Sequence, residues 1–82
     1  MNITDKKTIN IKGRNIVIIG IGQSGAAAGK LAKYLGANVL ISESNSNSKI
    51  TSLSKKIESY GIDIELGGHS EKIFNADLWV VS

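Results

Sequence analysis

Hydrophobic residues in this chain occur as short continuous runs that alternate with helix-spaced stripes. The most continuous run, NIVII at residues 15–19, predicts a parallel strand that is buried on both faces. A helix is expected next, from Gln23 to Leu35, with Lys30 and Lys33 facing solvent and Gly36 as a left-handed cap. Its expected apolar face consists of Ala27, Ala28, Leu31, Ala32 and Leu35.

The rest of the chain repeats this alternation. The second helix has an apolar stripe and should end at Gly61. That stripe consists of Ile50, Leu53, Ile57 and Tyr60. The other expected elements are strands at 39–42, 62–66 and 78–81, a polar capping loop at 44–48 and a short helical turn at 70–74. The pattern predicts an α/β fold, a Rossmann-like doubly wound parallel sheet with strand order 3-2-1-4.

The two outer strands of this sheet have different signatures. Residues 62–66 alternate apolar and polar side chains, which indicates an edge strand with one face partly wet. The apolar LWVV at residues 78–81 has no helix after it and should form the other edge, where it favours self-association. Because such folds usually continue, we expect the chain to be a fragment of a longer protein, truncated before a final strand.

Three glycines at GxGxxG spacing separate the first strand from the first helix. Gly20 permits a tight exit from the strand, Gly22 lets the backbone approach a diphosphate, and Gly25 lets the helix lie close to the sheet. The backbone N–H groups of Gln23 and Ser24 open the helix and are available to an anion. The Ser24 hydroxyl either joins them or caps the helix. The alternative is that the glycines serve only a tight turn.

Glu43 falls at the carboxyl end of the second strand, where the acidic residue of dinucleotide sites accepts hydrogen bonds from a ribose or a base. The alternative is a solvated loop carboxylate. Gly67 and Gly68 either admit a base or simply form a turn. His69 has no second ligand type beside it and is expected to be an isolated surface residue, and Trp79 is expected to pack. The sequence shows no catalytic constellation and no metal site.

Composition narrows the possible functions. The net charge is +3, and Lys6, Lys7, Lys12 and Arg14 cluster near the start of the chain, where residues 1–12 are expected to form a basic N-terminal arm. With only four aromatic residues, none of them within this cluster, a solvated arm is favoured over nucleic-acid binding. The sequence contains no Cys, no apolar run long enough to span a membrane and no secretory signal pattern, so a cytoplasmic protein is expected.

Three segments together resemble the N-terminal domain of UDP-N-acetylmuramoylalanine–D-glutamate ligases, the MurD-type Mur ligases. They are IVIIGIGQSG at residues 16–25, GANVLISE at 36–43 and GIDIELGGHSEKIFNADLWVVS at 61–82. The GGH turn followed by ADLWVVS is the most specific of these features. The likeness covers residues 13–82, which the resemblance implies to be a Rossmann-like UDP-binding domain. The family usually has Asp at the position of Glu43, and many members have a basic residue at that of Asn45.

The resemblance implies that this domain binds the UDP part of UDP-N-acetylmuramoyl-L-alanine. The residues it places against the diphosphate are Gly22, Gln23 and Ser24. Glu43 and Ser44 would face the uracil and ribose, and the backbone of Gly67 would face the uracil.

The resemblance also implies that the parent enzyme, a ligase of peptidoglycan biosynthesis, uses ATP and Mg2+ to activate the substrate carboxylate before D-glutamate attacks it. This chain has no GKT/S loop, so it is expected to bind substrate without catalysis and without a cofactor of its own. Its expected partners are the substrate and the missing central and C-terminal domains. Two alternatives stay open, an NAD-binding regulatory or dehydrogenase module and a purely structural interaction domain.

Overall fold

A computed structural model describes residues 10–81 and contains each element expected from the sequence. The elements, in chain order, are β1 (Asn15–Ile19), α1 (Gln23–Tyr34), β2 (Asn38–Glu43), α2 (Ser48–Glu58), β3 (Asp63–Leu66), a 3-10 helix (Glu71–Phe74) and β4 (Leu78–Val81). Expected boundaries differ from these by one residue in α1, β2, β3 and the 3-10 helix. Lys6, Lys7 and most of the predicted basic arm lie outside the described residues, whereas Lys12 and Arg14 are exposed.

The four strands form one sheet in the order β3-β2-β1-β4, and every neighbouring pair is parallel. This confirms the predicted α/β topology. Ile16, Val17 and Ile18 of β1 are buried, as the continuous apolar run predicted. β3 and β4 lie at the two edges, so both edge assignments are also confirmed.

The expected apolar face of α1 is only partly correct, since Ala28 and Ala32 do lie against the core. The buried residues of the helix are Gly25, Ala26, Gly29 and Ala32. Ala27 is exposed, and Leu31 is 38% exposed. The reason is the close approach of α1 to the sheet, because a Cβ on Gly29 would lie 3.1 Å from the Ile41 Cδ1 atom and 3.4 Å from that of Ile18. Small side chains therefore face the sheet and the larger ones face outward.

The stripe expected on α2 is only partly correct. Ile57 is buried, and Ile50 and Leu53 are partly buried against the same core. Tyr60, the fourth residue of that stripe, is 54% exposed because it follows the end of α2 rather than continuing its face. The Lys30 ammonium lies 4.8 Å from the centroid of the Tyr60 ring, a cation–π contact at the surface.

Both helices end at the glycines that the sequence indicated. Gly36 has φ +93° and donates its N–H to Lys33, while Ala37 donates to Ala32, which is the Schellman arrangement. Gly61, with φ +83°, ends the second helical segment in the same region of backbone space. At the start of α2 the Asn47 side chain accepts a hydrogen bond from the Ile50 N–H at 2.9 Å, so the polar loop caps this helix as expected.

The sheet face opposite α1 and α2 is covered unevenly, with Val17 buried, Leu40 half-buried and Trp79 exposed. Register places Val17, Leu40 and Trp79 side by side on this face. Trp79, expected to pack, is 49% exposed, and its indole N–H donates to the Ile73 carbonyl at 2.6 Å. The indole thus ties β4 to the 3-10 helix.

Candidate functional site

The glycine-rich turn lies at the carboxyl end of β1 and leads directly into α1. Gly20 has φ +104° and its N–H donates to the Ser42 carbonyl at 2.9 Å, which holds the turn against β2. A left-handed conformation of this kind explains why glycine is needed at the strand exit. Gly22 is the N-cap residue of α1 and makes no side-chain cap hydrogen bond. Ser24 lies inside the first turn of the helix, so the suggestion that its hydroxyl caps the helix is wrong.

Space is open in front of this turn. A Cβ built on Gly22 would meet no atom within 4 Å, and Gln23 and Ser24 are exposed. The first turn of α1 contains no acidic residue that would oppose an anion. The backbone N–H groups and the positive end of the helix dipole give this opening the character of an anion site.

Glu43 is built into the turn rather than being a free loop carboxylate. Its Oε1 accepts the Ile21 N–H at 2.9 Å and its Oε2 accepts the Asn45 N–H at 2.8 Å. The half-exposed carboxylate is thus attached to the backbone through both of its oxygens, unlike the free loop carboxylate of the alternative. The hydrogen bonds from Asn45 and then Ile21 lower the pKa of Glu43 below its ordinary value of 4.5. The ionised carboxylate bridges the β1–α1 turn and the β2–α2 loop.

The loop after β3 approaches this bridge. Gly67 has φ +81°, and a Cβ on it would lie 3.8 Å from the Ser46 side chain. The Gly68 N–H donates to the Glu43 carbonyl at 3.4 Å, and Ser44 is exposed beside it. The structure thus brings the loops that carry Glu43, Ser44 and Gly67 together at the carboxyl ends of the strands, where the glycine-rich turn also lies.

A polar network at the carboxyl ends of the strands, formed by Ser42, Glu65, His69 and Ser70, was not predicted from the sequence. The Ser42 hydroxyl lies 2.5 Å from Glu65 Oε2 and 2.6 Å from His69 Nδ1. The Ser70 hydroxyl and N–H both donate to the Glu65 carboxylate, at 2.5 and 3.1 Å. His69 is therefore exposed, as expected, but it is not isolated. The parallel β2–β3 register places Ser42 beside Glu65, and the loop after β3 brings His69 next to Ser42.

The Glu65 carboxylate remains ionised in this network. Hydrogen bonds from Ser42 and then Ser70 lower the pKa of Glu65 below 4.5. The available signal in the sequence was a serine inside an otherwise apolar strand, at Ser42. A buried hydroxyl needs a partner, and register supplies it in Glu65.

An open cleft at the amino ends of the strands, lined in part by Asn15, Asn38 and Asp63, lies away from the glycine-rich turn. Among residues 10–81 no three potential metal ligands group together. Neither α1 nor α2 has the length and apolarity required to cross a lipid bilayer.

The parallel sheet and the glycine-rich turn after β1 define a Rossmann-like domain. Solved structures share this fold. The A chain of dipicolinate synthase from Bacillus subtilis matches 96% of this chain and 25% of its own, with a TM-score of 0.71 and 19% identity. A precorrin-2 dehydrogenase matches 92% of this chain and 37% of its own, with a TM-score of 0.66 and 18% identity. At these identities the likeness concerns the fold alone.

Sequence relatives identify the family more specifically than the fold does, although no family model matches the chain. The UDP-N-acetylmuramoylalanine–D-glutamate ligase of Chloroherpeton thalassium is 40% identical over 72 residues, which cover 88% of this chain and 15% of that enzyme. The ligase of Chlorobium luteolum is 40% identical over 76 residues, covering 93% and 16%. The predicted resemblance is confirmed, and the chain is homologous to the N-terminal region of these ligases. It spans about 15% of the length of the curated relatives it matches.

Proposed function

We propose that this chain is the UDP-substrate-binding domain of an ATP-dependent ligase that adds D-glutamate to UDP-N-acetylmuramoyl-L-alanine in peptidoglycan biosynthesis. The observation that carries this proposal is the 40% identity to D-glutamate ligases over 88% of the chain. The name of those relatives specifies both the UDP-linked substrate and the D-glutamate that is joined to it. Their homologous region is the one that contains the glycine-rich turn.

The geometry of the turn supports the binding of a diphosphate. The N-terminus of α1 at Gly22, Gln23 and Ser24 is exposed and faces open space. Backbone N–H groups at a helix start, together with the helix dipole, stabilise phosphate oxygens. Glu43, Ser44 and Gly67 would then lie on the nucleoside side, where the loops after β2 and β3 meet.

The chain supplies binding and orientation rather than the ligation itself. ATP and Mg2+ provide carboxylate activation in the parent enzyme, and their usual phosphate-binding GKT/S loop does not occur in this sequence. We therefore assign the ATP and Mg2+ sites to other domains of the parent, which would act as partners of this one. The isolated chain should bind the substrate weakly and show no ligase activity.

The test is a titration of the 15N-labelled chain followed by amide chemical shifts. UDP, UDP-N-acetylmuramoyl-L-alanine and NADH are added separately to identical samples. Saturable shifts at Gly22 to Ser24 and at Glu43 with the two uridine ligands, and none with NADH, support the proposal. Binding of NADH at the same amides without a response to UDP would instead favour an NAD module, and silence to all three would favour a structural domain.

A matched variant pair strengthens this titration. Ser24→Ala removes a hydroxyl from the first turn of α1, whereas Ser52→Ala removes an exposed hydroxyl from α2, away from the turn. The backbone amides that would bind the diphosphate remain in both variants. We expect Ser24→Ala to weaken UDP binding modestly and Ser52→Ala to leave it unchanged.

A further inference from the structure

His69 is held by a chain of hydrogen bonds that starts at a buried residue. Ser42 is 0% exposed, and its hydroxyl lies within hydrogen-bond distance of both Glu65 and His69. The His69 side chain itself is exposed at the carboxyl edge of the sheet. The network therefore fixes one side of the imidazole and leaves the other side open.

The ionised state of Glu65 determines how the protons are arranged. A carboxylate can only accept, so the single Ser42 proton is donated to Glu65. The Ser42 oxygen must then accept from His69, which places a proton on Nδ1. In the neutral ring the other nitrogen, Nε2, is consequently a hydrogen-bond acceptor. Among residues 10–81 it has no hydrogen-bond partner.

This trio of Ser, His and Glu is not a nucleophilic triad. A serine nucleophile must reach its substrate, and Ser42 is fully covered. Its hydroxyl proton is also committed to a carboxylate rather than to the imidazole. The network is suited to orienting a ring rather than to activating an oxygen.

The location of His69 relates this oriented ring to the nucleotide site. Gly68, the preceding residue, donates its N–H to the carbonyl of Glu43. Ser42, the hydrogen-bond partner of His69, accepts the N–H of Gly20 in the glycine-rich turn. A single residue therefore links His69 to each part of the candidate site: Gly68 links it to Glu43, and Ser42 links it to the glycine-rich turn.

We propose that His69 is a nucleotide-binding residue whose Nε2 accepts a hydrogen bond from the nucleoside, with Ser42 and Glu65 as positioning residues. This inference rests on the proposed binding of UDP. The donor would be the uracil imide N–H or the ribose 2′-hydroxyl, each of which can donate to an imidazole. Glu43 already accepts hydrogen bonds from two backbone amides. In contrast, Nε2 of His69 accepts no hydrogen bond from residues 10–81.

The experiment compares the wild-type chain with two variants of the exposed His69. His69→Phe removes the acceptor, while His69→Gln keeps an amide oxygen at a similar distance from the backbone. Binding of UDP, 3-methyl-UDP, 2′-deoxy-UDP and inorganic pyrophosphate is measured by calorimetry or amide shifts. Circular dichroism of each variant checks that the fold is retained.

We expect His69→Phe to weaken UDP binding about three- to tenfold, the range for one hydrogen bond to a neutral group, with pyrophosphate binding unchanged. His69→Gln should recover part of the loss. One of the two analogues should bind the wild type more weakly than UDP, and this difference should disappear in His69→Phe, which a purely structural role of His69 would not produce.

The inference is overturned if His69→Phe discriminates between UDP and both analogues as the wild type does. It is also overturned if the variant loses pyrophosphate and UDP binding equally, because His69 would then act on the turn as a whole. A wild-type chain that binds none of the uridine ligands would contradict the proposed function as well, so the two failures are distinguishable.

Discussion

The Glu43 carboxylate accepts the backbone N–H of Ile21 at 2.9 Å, across 22 residues of chain. Its second oxygen accepts the N–H of Asn45 at 2.8 Å. One side chain therefore joins the β1–α1 turn, which approaches the expected diphosphate, to the β2–α2 loop, which approaches the expected nucleoside. The turn after β1 is therefore held by the side chain of a residue at the end of a different strand.

Glu43→Gln should loosen this connection. The amide retains only one acceptor oxygen, so the N–H of Ile21 or of Asn45 loses its partner. We expect a loss of about 1 kcal/mol in the free energy of unfolding and a several-fold loss of UDP affinity. Urea unfolding and UDP titration measure the two effects. Glu58→Gln, the same change on an exposed residue of α2, is the control, and an equal effect in both variants would contradict the role given to Glu43.

Acid should destabilise the fold through Glu43 and Glu65. Their pKa values are lowered from 4.5 in the folded chain, so both bind protons more readily when unfolded. Their contribution to stability is therefore fully present above the unfolded pKa and is lost as the pH falls through the lower folded values. Urea midpoints between about pH 7 and pH 3 should decline most steeply below the unfolded pKa. Glu65→Gln should flatten that decline, whereas Glu58→Gln should leave its slope intact.

Strand order could be predicted because each strand had a distinct pattern. The unbroken apolar run of β1 indicated a central strand, and the alternation of β3 indicated an edge strand. The glycine-rich turn could be placed for the same reason. Its steric requirement appears directly in the sequence and in the positive φ of Gly20.

Side-chain partnerships could not be obtained this way. Alanines and glycines cover several faces of α1, so periodicity alone did not identify the face that lies on Ile18 and Ile41. The Ser42–Glu65 pair depends on the register between β2 and β3, and the return of His69 depends on a loop with two positive φ glycines. These are tertiary relationships, and a single sequence contains no direct record of them.

Substitution by valine should impair UDP binding at Gly22 and stability at Gly29. At Gly22, φ is −48° and a Cβ meets no atom within 4 Å, so Gly22→Val should keep the fold but place methyl groups where a diphosphate would approach. At Gly29 a Cβ already lies 3.1 Å from Ile41, so Gly29→Val should overpack the helix–sheet contact. The expected cost there is roughly 1–3 kcal/mol. Thermal unfolding and UDP titration of both variants test the contrast, and normal UDP binding by Gly22→Val would move the site elsewhere.

The outer edge of β4 should mediate self-association of the isolated chain. β4 pairs with β1 on one side only, and Val81 and Leu78 are 79% and 49% exposed. An apolar edge with unpaired backbone groups is a template for another strand. Sedimentation velocity over increasing concentration should show a rising sedimentation coefficient, and Val81→Lys should suppress it by placing charge on the edge. Tyr34→Lys changes an 86% exposed residue on α1 and serves as the control. A wild-type chain that stays monomeric at millimolar concentration would show that this edge is protected.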